Sequence, residues 1–288
     1  MKTYIVKPYG ICFGVKTAID ESLQTKKDNP NTNVTILGAI VHNEHIVKKM
    51  DNANISTVNL KDPINELSTI EPGILIFSAH GHDKKIENKA IELGFKIKDC
   101  TCPKVTTTFI AIKKALLENR PIIYIGKKGH PECEAALSIS DKIHLFESED
   151  NFDFSKLESN DPIVINQTTY SMLDLFDYHK FIKFNCPNAT FINEICAETR
   201  MRQSGVMNIP NDCDLIYIVG SNTSSNVNRL YEIAELTKPQ SLVKKIATIA
   251  DIDKSDLENH TYVAIASGAS TPNELVEEII DYIEAYPK

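Results

Sequence analysis

The sequence predicts an α/β protein made of three related units. Two observations predict this class. Runs rich in β-branched residues alternate with amphipathic helical stretches along most of the chain. Three cysteines also recur at nearly equal intervals, each followed by two similarly placed polar loops.

In chain order, the strand-like runs lie in NVTILGAIV, GILIFSAHG, PIIYIGKKG, DPIVINQTT, CDLIYIVGS and TYVAIASGAS. The stretches VTTTFIAIKKALLEN and PNELVEEIIDYIEAY carry apolar residues at helical spacing. This alternation predicts a mostly parallel sheet in each unit. Three of the strands end in a glycine followed four residues later by a polar group: Gly38 to His42, Gly126 to His130 and Gly220 to Ser224. Cys12 precedes His42 by 30 residues, Cys102 precedes His130 by 28, and Cys196 precedes Ser224 by 28. Going forward, His42 to His80 and His130 to Thr168 are both 38 residues, and Ser224 to Ser270 is 46.

Each unit therefore reads cysteine, helix, strand, polar loop, helix, strand, polar loop. The expected boundaries are 13–98, 99–192 and 193–288, with 1–12 as an N-terminal strand packing near the third unit. Ligands of open parallel sheets bind beyond the carboxyl ends of the strands. Three units around a pseudo-threefold axis, in a trefoil-like arrangement, would gather these loops about one central cavity.

Composition narrows the function. With 42% hydrophobic and 24% charged residues the 288-residue chain suits a globular fold. No apolar run approaches the roughly 20 residues needed to cross a bilayer. MKTYIVKPYG lacks the features of a signal or transit peptide, so a cytoplasmic location is expected. The net charge of −8 and the absence of a basic tract argue against nucleic acid as partner. Seven cysteines in a reducing compartment argue against a disulfide framework.

Three cysteines without a fourth partner leave one position open on a metal centre, whereas a structural zinc site closes with four ligands. Three thiolates on a [4Fe–4S] cluster would leave one iron open for substrate. Such a cluster is expected to lose that iron in air, leaving a [3Fe–4S] form or empty thiols.

The polar loops suit an anion. Pro131 is placed to open a helix behind His130, TSSNVNRL opens one with Ser and Asn at its cap, and Thr271 to Glu274 reads as a capping box with Pro272 at the first helical position. Helix N-termini favour phosphate, each by about 0.3–1 kcal/mol when exposed. Glu132 beside such a site is expected to be protonated by burial and like charge, and so to serve as acid, with Thr168 positioning or relaying the proton.

The ordinary readings of these residues are a buried thiol for Cys100, Cys133, Cys186 and Cys213, a surface or core residue for His45 and His82, and a plain helix cap for SSN. Spacing alone leaves Cys100 and Cys102 both open as the ligand of the CxC pair, while Pro103 favours Cys102 as a helix start.

The motifs GICFGV (10–15), VHN (41–43), FSAHG (77–81), TCPKV (101–105), GHPE (129–132), QTTYS (167–171), ICAETRMRQ (195–203), VGSNTSSNVNRL (219–230) and SGAS (267–270) resemble, in order, those of the 4-hydroxy-3-methylbut-2-enyl diphosphate reductase family. The resemblance covers nearly the whole chain. It implies a [4Fe–4S] cluster on Cys12, Cys102 and Cys196. It implies a diphosphate clamp of His42, His80, His130, Ser224, Ser225, Asn226 and Ser270, with Glu132 as proton donor and Thr168 as contact to the substrate hydroxyl. His130 also lies near the implied proton path.

The implied reaction removes the 4-hydroxyl of the allylic diphosphate with two electrons and protons, giving isopentenyl and dimethylallyl diphosphate. The implied electron donor is a ferredoxin or flavodoxin, and the expected assembly a monomer or weak homodimer. Departures are small: Cys100 stands where a small residue is usual, Tyr170 where Leu is common, and Glu194 and Glu198 in a stretch that often has other residues. Quinolinate synthase is similar in having one cysteine per threefold unit, but none of its motifs appears. A cluster-bearing sensor or electron carrier would not need the anion clamp.

Overall fold

The structure, a computed structural model, describes residues 1–192 and 195–287. The chain opens with β1 (Lys2–Ile5), α1 (Phe13–Asp28), β2 (Val34–Leu37), α2 (Glu44–Asn52), β3 (Ser56–Val58), α3 (Pro63–Glu66), β4 (Ile74–Phe77), α4 (Lys84–Glu92) and β5 (Lys96–Asp99). It continues with α5 (Pro103–Leu117), β6 (Ile122–Ile125), α6 (Pro131–Leu137), β7 (Ile143–Phe146), β8 (Ile163–Asn166), α7 (Met172–Asn185) and β9 (Thr190–Ile192). It closes with α8 (Ala197–Met207), β10 (Leu215–Val219), α9 (Ser225–Thr237), β11 (Leu242–Ile246), α10 (Lys254–Asn259), β12 (Tyr262–Ser267) and α11 (Asn273–Glu284).

These strands form three four-stranded sheets, ordered β3-β2-β4-β5, β7-β6-β8-β9 and β11-β10-β12-β1. Every neighbouring pair is parallel. The three orders are one order repeated, with β1 taking in the third sheet the edge place that β5 and β9 take in the others. The α/β class with parallel sheets in three repeats is therefore what the sequence predicts.

The described residues divide into two compact units. One comprises residues 1–15, 42–46 and 196–287 and holds the sheet of β1, β10, β11 and β12. The other comprises 16–41, 47–192 and 195 and holds the other two sheets.

In the first unit, Leu215, Tyr217, Val219, Val263 and Ile265 bury against Val276, Ile279 and Ile283 of α11. In the second, β6 shows why its run is apolar throughout. Ile122 and Tyr124 face Ile112 and Ala115 of α5, while Ile123 and Ile125 face Leu175 and Ile182 of α7. Alternate side chains point to opposite faces, and a parallel strand covered on both has no polar face. The first sheet of this unit closes on Leu67, Leu75, Phe77, Ala90 and Phe95.

One cap differs from expectation. Pro272 is the N-cap of α11, with no side-chain cap hydrogen bond. The Thr271 hydroxyl is fully buried and donates to the carbonyl of Val219 at 2.9 Å. A buried hydroxyl must find a partner, and the last carbonyl of β10 supplies it in place of the capping box. The same corner requires Gly220, with φ +146°, since a Cβ there would lie 2.5 Å from Val227.

Candidate active site

Each sheet sends out its candidate residues from the same three strand ends. His42, His130 and Ser224 each lie five residues past β2, β6 and β10. His80, Thr168 and Ser270 follow β4, β8 and β12 by two or three residues. Cys102, Cys196 and Cys12 follow the edge strands β5, β9 and β1, and each stands immediately before a helix, α5, α8 and α1. The regular spacing in the sequence is thus the spacing of equivalent strand ends.

In the second unit, Glu132 lies in the first turn of α6 and is only 1% exposed. Thr168 holds it twice. The Thr168 hydroxyl donates to Glu132 Oε2 at 2.8 Å, and the Thr168 N–H donates to Oε1 at 2.7 Å. The Tyr124 hydroxyl donates to Oε1 at 3.5 Å. Burial pushes the Tyr124 phenol well above its ordinary range, so it stays a donor.

His130 caps α6, and its Nδ1 accepts the Glu132 N–H at 3.2 Å. That assigns the proton of the neutral ring to Nε2. The His80 ring meets the His130 ring edge-on, 5.6 Å between centroids, and its Nδ1 lies 3.1 Å from Ser78 Oγ. His130, Glu132, Thr168 and His80 are therefore neighbours.

In the first unit, Ser224 caps α9 and accepts the Val227 N–H. The Ser270 hydroxyl approaches Ser224 Oγ at 3.3 Å and the His42 carbonyl at 3.4 Å. Asn226 is 6% exposed, and its side-chain Nδ2 has no hydrogen-bond partner. A buried amide donor without an acceptor is costly, and beside a helix N-terminus it fits an anionic ligand. Burial holds His42 below its ordinary pKa of 6.5, which leaves a neutral ring near pH 7. Ser225 opens α9.

The cysteines sort into two kinds, and none of those described forms a disulfide. Cys12, Cys102 and Cys196 are partly exposed at helix starts, and Cys102 caps α5 with Pro103 behind it. Cys100, Cys133, Cys186 and Cys213 are buried. Burial pushes the thiols of Cys100 and Cys213 up to about 11 and that of Cys133 to about 12. Cys100 faces Ser22 and Glu21 of α1 at 3.9 and 3.8 Å.

Three partly exposed cysteines at the positive ends of helices have the chemistry to hold an anionic iron–sulfur cluster. Among the described residues no three His, Cys, Asp or Glu side chains gather as a mononuclear site. A cluster does not ask for one, since each thiolate takes a different iron.

Of the departures, Tyr170 is buried in the α7 core and Glu198 pairs with Arg202 at 3.3 Å. Glu194 lies outside the described residues. His82 stacks on Phe77 and bonds Glu87, a core role. The sequence reading missed Arg202, because a lone arginine in a helix carries no spacing signal.

A buried carboxyl held by a threonine, beside a helix-capping histidine and a second histidine at parallel strand ends, defines an α/β enzyme. Residues 3–284 match the LytB protein family, and the chain belongs to it. The 4-hydroxy-3-methylbut-2-enyl diphosphate reductase of Geobacillus thermodenitrificans is 35% identical over 99% of this chain and 91% of its own. That of Bacillus pumilus is 36% identical over the same shares. The solved structure of the E-1-hydroxy-2-methyl-but-2-enyl-4-diphosphate reductase from Plasmodium falciparum superposes with a TM-score of 0.88, at 28% identity, over 99% of this chain and 89% of that one. The chain is accordingly an enzyme of the oxidoreductase class.

Proposed function

We propose that this enzyme removes the 4-hydroxyl of (E)-4-hydroxy-3-methylbut-2-enyl diphosphate, consuming two electrons and two protons and releasing water. The products are isopentenyl and dimethylallyl diphosphate. The reading is supported by the names of the relatives, and one observation carries it: each sheet sends a cysteine and two polar side chains from the same three strand ends. In this reading the three repeats are 13–98, 99–192 and 193–288.

Cys12, Cys102 and Cys196 would hold a [4Fe–4S] cluster, which supplies electrons and a Lewis-acidic iron. Ser224, Ser225, Asn226, Ser270, His42 and His80 bind the diphosphate, with the α9 N-terminus adding its dipole. His130 donates from Nε2. Thr168 holds the substrate hydroxyl and connects it to Glu132, whose proton leaves with that hydroxyl as water. A ferredoxin or flavodoxin delivers the electrons, and the enzyme works in the cytoplasm as a monomer or weak homodimer.

The test is turnover of the anaerobically reconstituted protein with the hydroxylated diphosphate and a chemical reductant. Both five-carbon diphosphates are expected. Iron-loaded protein that leaves the substrate intact would sink the proposal.

A further inference from the structure

Arg202 is 1% exposed, which is rare for an arginine. Its guanidinium binds three separate pieces of the first unit. Nη1 donates to the carbonyls of Pro8 at 3.0 Å and Ser267 at 3.2 Å. Nη2 donates to the carbonyl of Gly10 at 2.9 Å and to Glu198 Oε2 at 3.3 Å. Nε is buried with no hydrogen-bond partner.

Pro8 and Gly10 lie just ahead of Cys12, Ser267 ends β12, and Arg202 itself rides on the helix that Cys196 caps. The loop before Cys12 is held from other sides as well. The Gly10 N–H donates to Ser267 Oγ at 2.9 Å, the Ile11 N–H to Asn273 Oδ1 at 3.0 Å, and the Cys12 N–H to the Ala269 carbonyl at 3.0 Å. Gly10 itself sits at φ +76°, where a Cβ would meet the Asn273 side chain at 2.2 Å.

The planar fork of arginine suits this task, because it can bind several carbonyls at fixed angles, as lysine cannot. Charge adds to geometry. Burial lowers the pKa of Arg202, and Glu198 acts in the opposite sense. Its Nη2 binds the Gly10 carbonyl two residues ahead of Cys12, and its helix starts at Cys196, so the guanidinium sits between the two segments that carry these cysteines.

We propose that Arg202 is a positioning residue that ties the Cys12 loop to the Cys196 helix and sets a fixed positive charge beside both cluster-binding thiolates. This rests on the reading that these two cysteines hold a cluster. Reduction adds negative charge to a cluster, so a buried cation beside its ligands raises the reduction potential, and Glu198 tempers that effect.

The experiment compares wild type, Arg202→Met, Arg202→Lys and Glu198→Gln after anaerobic reconstitution. It measures iron per chain, the midpoint potential by electron paramagnetic resonance titration, and the rate of Cys12 alkylation in iron-free protein. Arg202→Met is expected to lower the midpoint, and Glu198→Gln to raise it. Arg202→Lys is expected to keep the midpoint near wild type while losing the fork. Both Arg202 variants should lose iron in air faster than wild type and bind it more weakly, by about 10- to 100-fold, the usual range for partners of metal ligands. Both should also alkylate faster at Cys12.

Midpoints that move in the same direction for Arg202→Met and Glu198→Gln would overturn the electrostatic role. Alkylation and iron loss at wild-type rates would overturn the positioning role. If Arg202→Met does not fold, a midpoint for Glu198→Gln at or below wild type overturns the electrostatic role, and wild-type alkylation and iron loss in Arg202→Lys overturn the positioning role. Wild type that takes up no iron would instead overturn the cluster reading itself.

Discussion

Thr168 grips the Glu132 carboxyl with both its donors, hydroxyl to Oε2 at 2.8 Å and backbone N–H to Oε1 at 2.7 Å. The two residues come from different strand ends of one sheet, β6 by way of α6 and β8. The grip fixes the carboxyl against the hydroxyl that would carry its proton.

Glu132→Gln keeps the shape of the side chain and removes the transferable proton. Turnover is expected to fall roughly 100- to 10,000-fold, the usual range for a positioned acid. The cluster signal should stay at wild-type intensity. Thr168→Val should lose activity too, and the double variant should lose less than the product of the two single losses, because the residues act as one unit. Steady-state kinetics on the four proteins checks this. Near-normal turnover of Glu132→Gln would remove it as the acid.

Asn226 offers a buried amide donor that has no acceptor. A hydrogen bond to a charged group contributes about 1.5–3 kcal/mol. Asn226→Ala is therefore expected to weaken binding of inorganic diphosphate roughly 10- to 150-fold. The thermal stability of the ligand-free protein should hold or rise, since Nδ2 loses no bond and an unpartnered buried donor is removed. Calorimetric titration alongside thermal melts separates the two effects. An unchanged affinity would show that the donor serves another ligand.

The sequence shows its central strands and hides its edges. β6, β8, β10 and β12 are buried along their length, so their apolar runs stand out. β5 reads Lys96-Ile97-Lys98-Asp99 and is partly exposed, as edge strands protected by lysine often are. Nothing in such a run announces a strand. The candidate residues are legible because each follows a strand end at a near-constant distance. Arg202 is not, because its partners are carbonyls far off in sequence, and carbonyls leave no trace in residue identity. The Thr271 capping box misleads for a related reason, as the motif fits a cap but tertiary burial turns the hydroxyl to Val219.

Burial holds both His42 and His179 below their ordinary 6.5. The unfolded chain then binds these protons more readily than the folded one. Stability is fully present above about pH 6.5 and is lost as pH falls through the lowered folded values. Urea unfolding between pH 8 and 5.5 should show this decline, and His42→Asn should make it shallower. Bound diphosphate, an anion near His42, favours the protonated ring and should make the decline shallower too. Stability that is flat or rising toward pH 5.5 would contradict this sign.

The two kinds of cysteine make the final prediction. Cys100, Cys133 and Cys213 are buried, with thiols pushed up to about 11, 12 and 11, and Cys186 is buried with its thiol raised. At pH 8 a thiol near 11 is ionised in only about one molecule in a thousand, and the thiolate is the reactive form. Cys12, Cys102 and Cys196 are partly exposed. Iron-free protein treated with iodoacetamide should therefore gain three adducts rapidly, mapped by mass spectrometry to those positions. The other four should react only on unfolding. Reconstitution with iron and sulfide should protect the same three. Rapid labelling of Cys100, or protection that includes it, would move the ligand assignment within the CxC pair from Cys102 to Cys100.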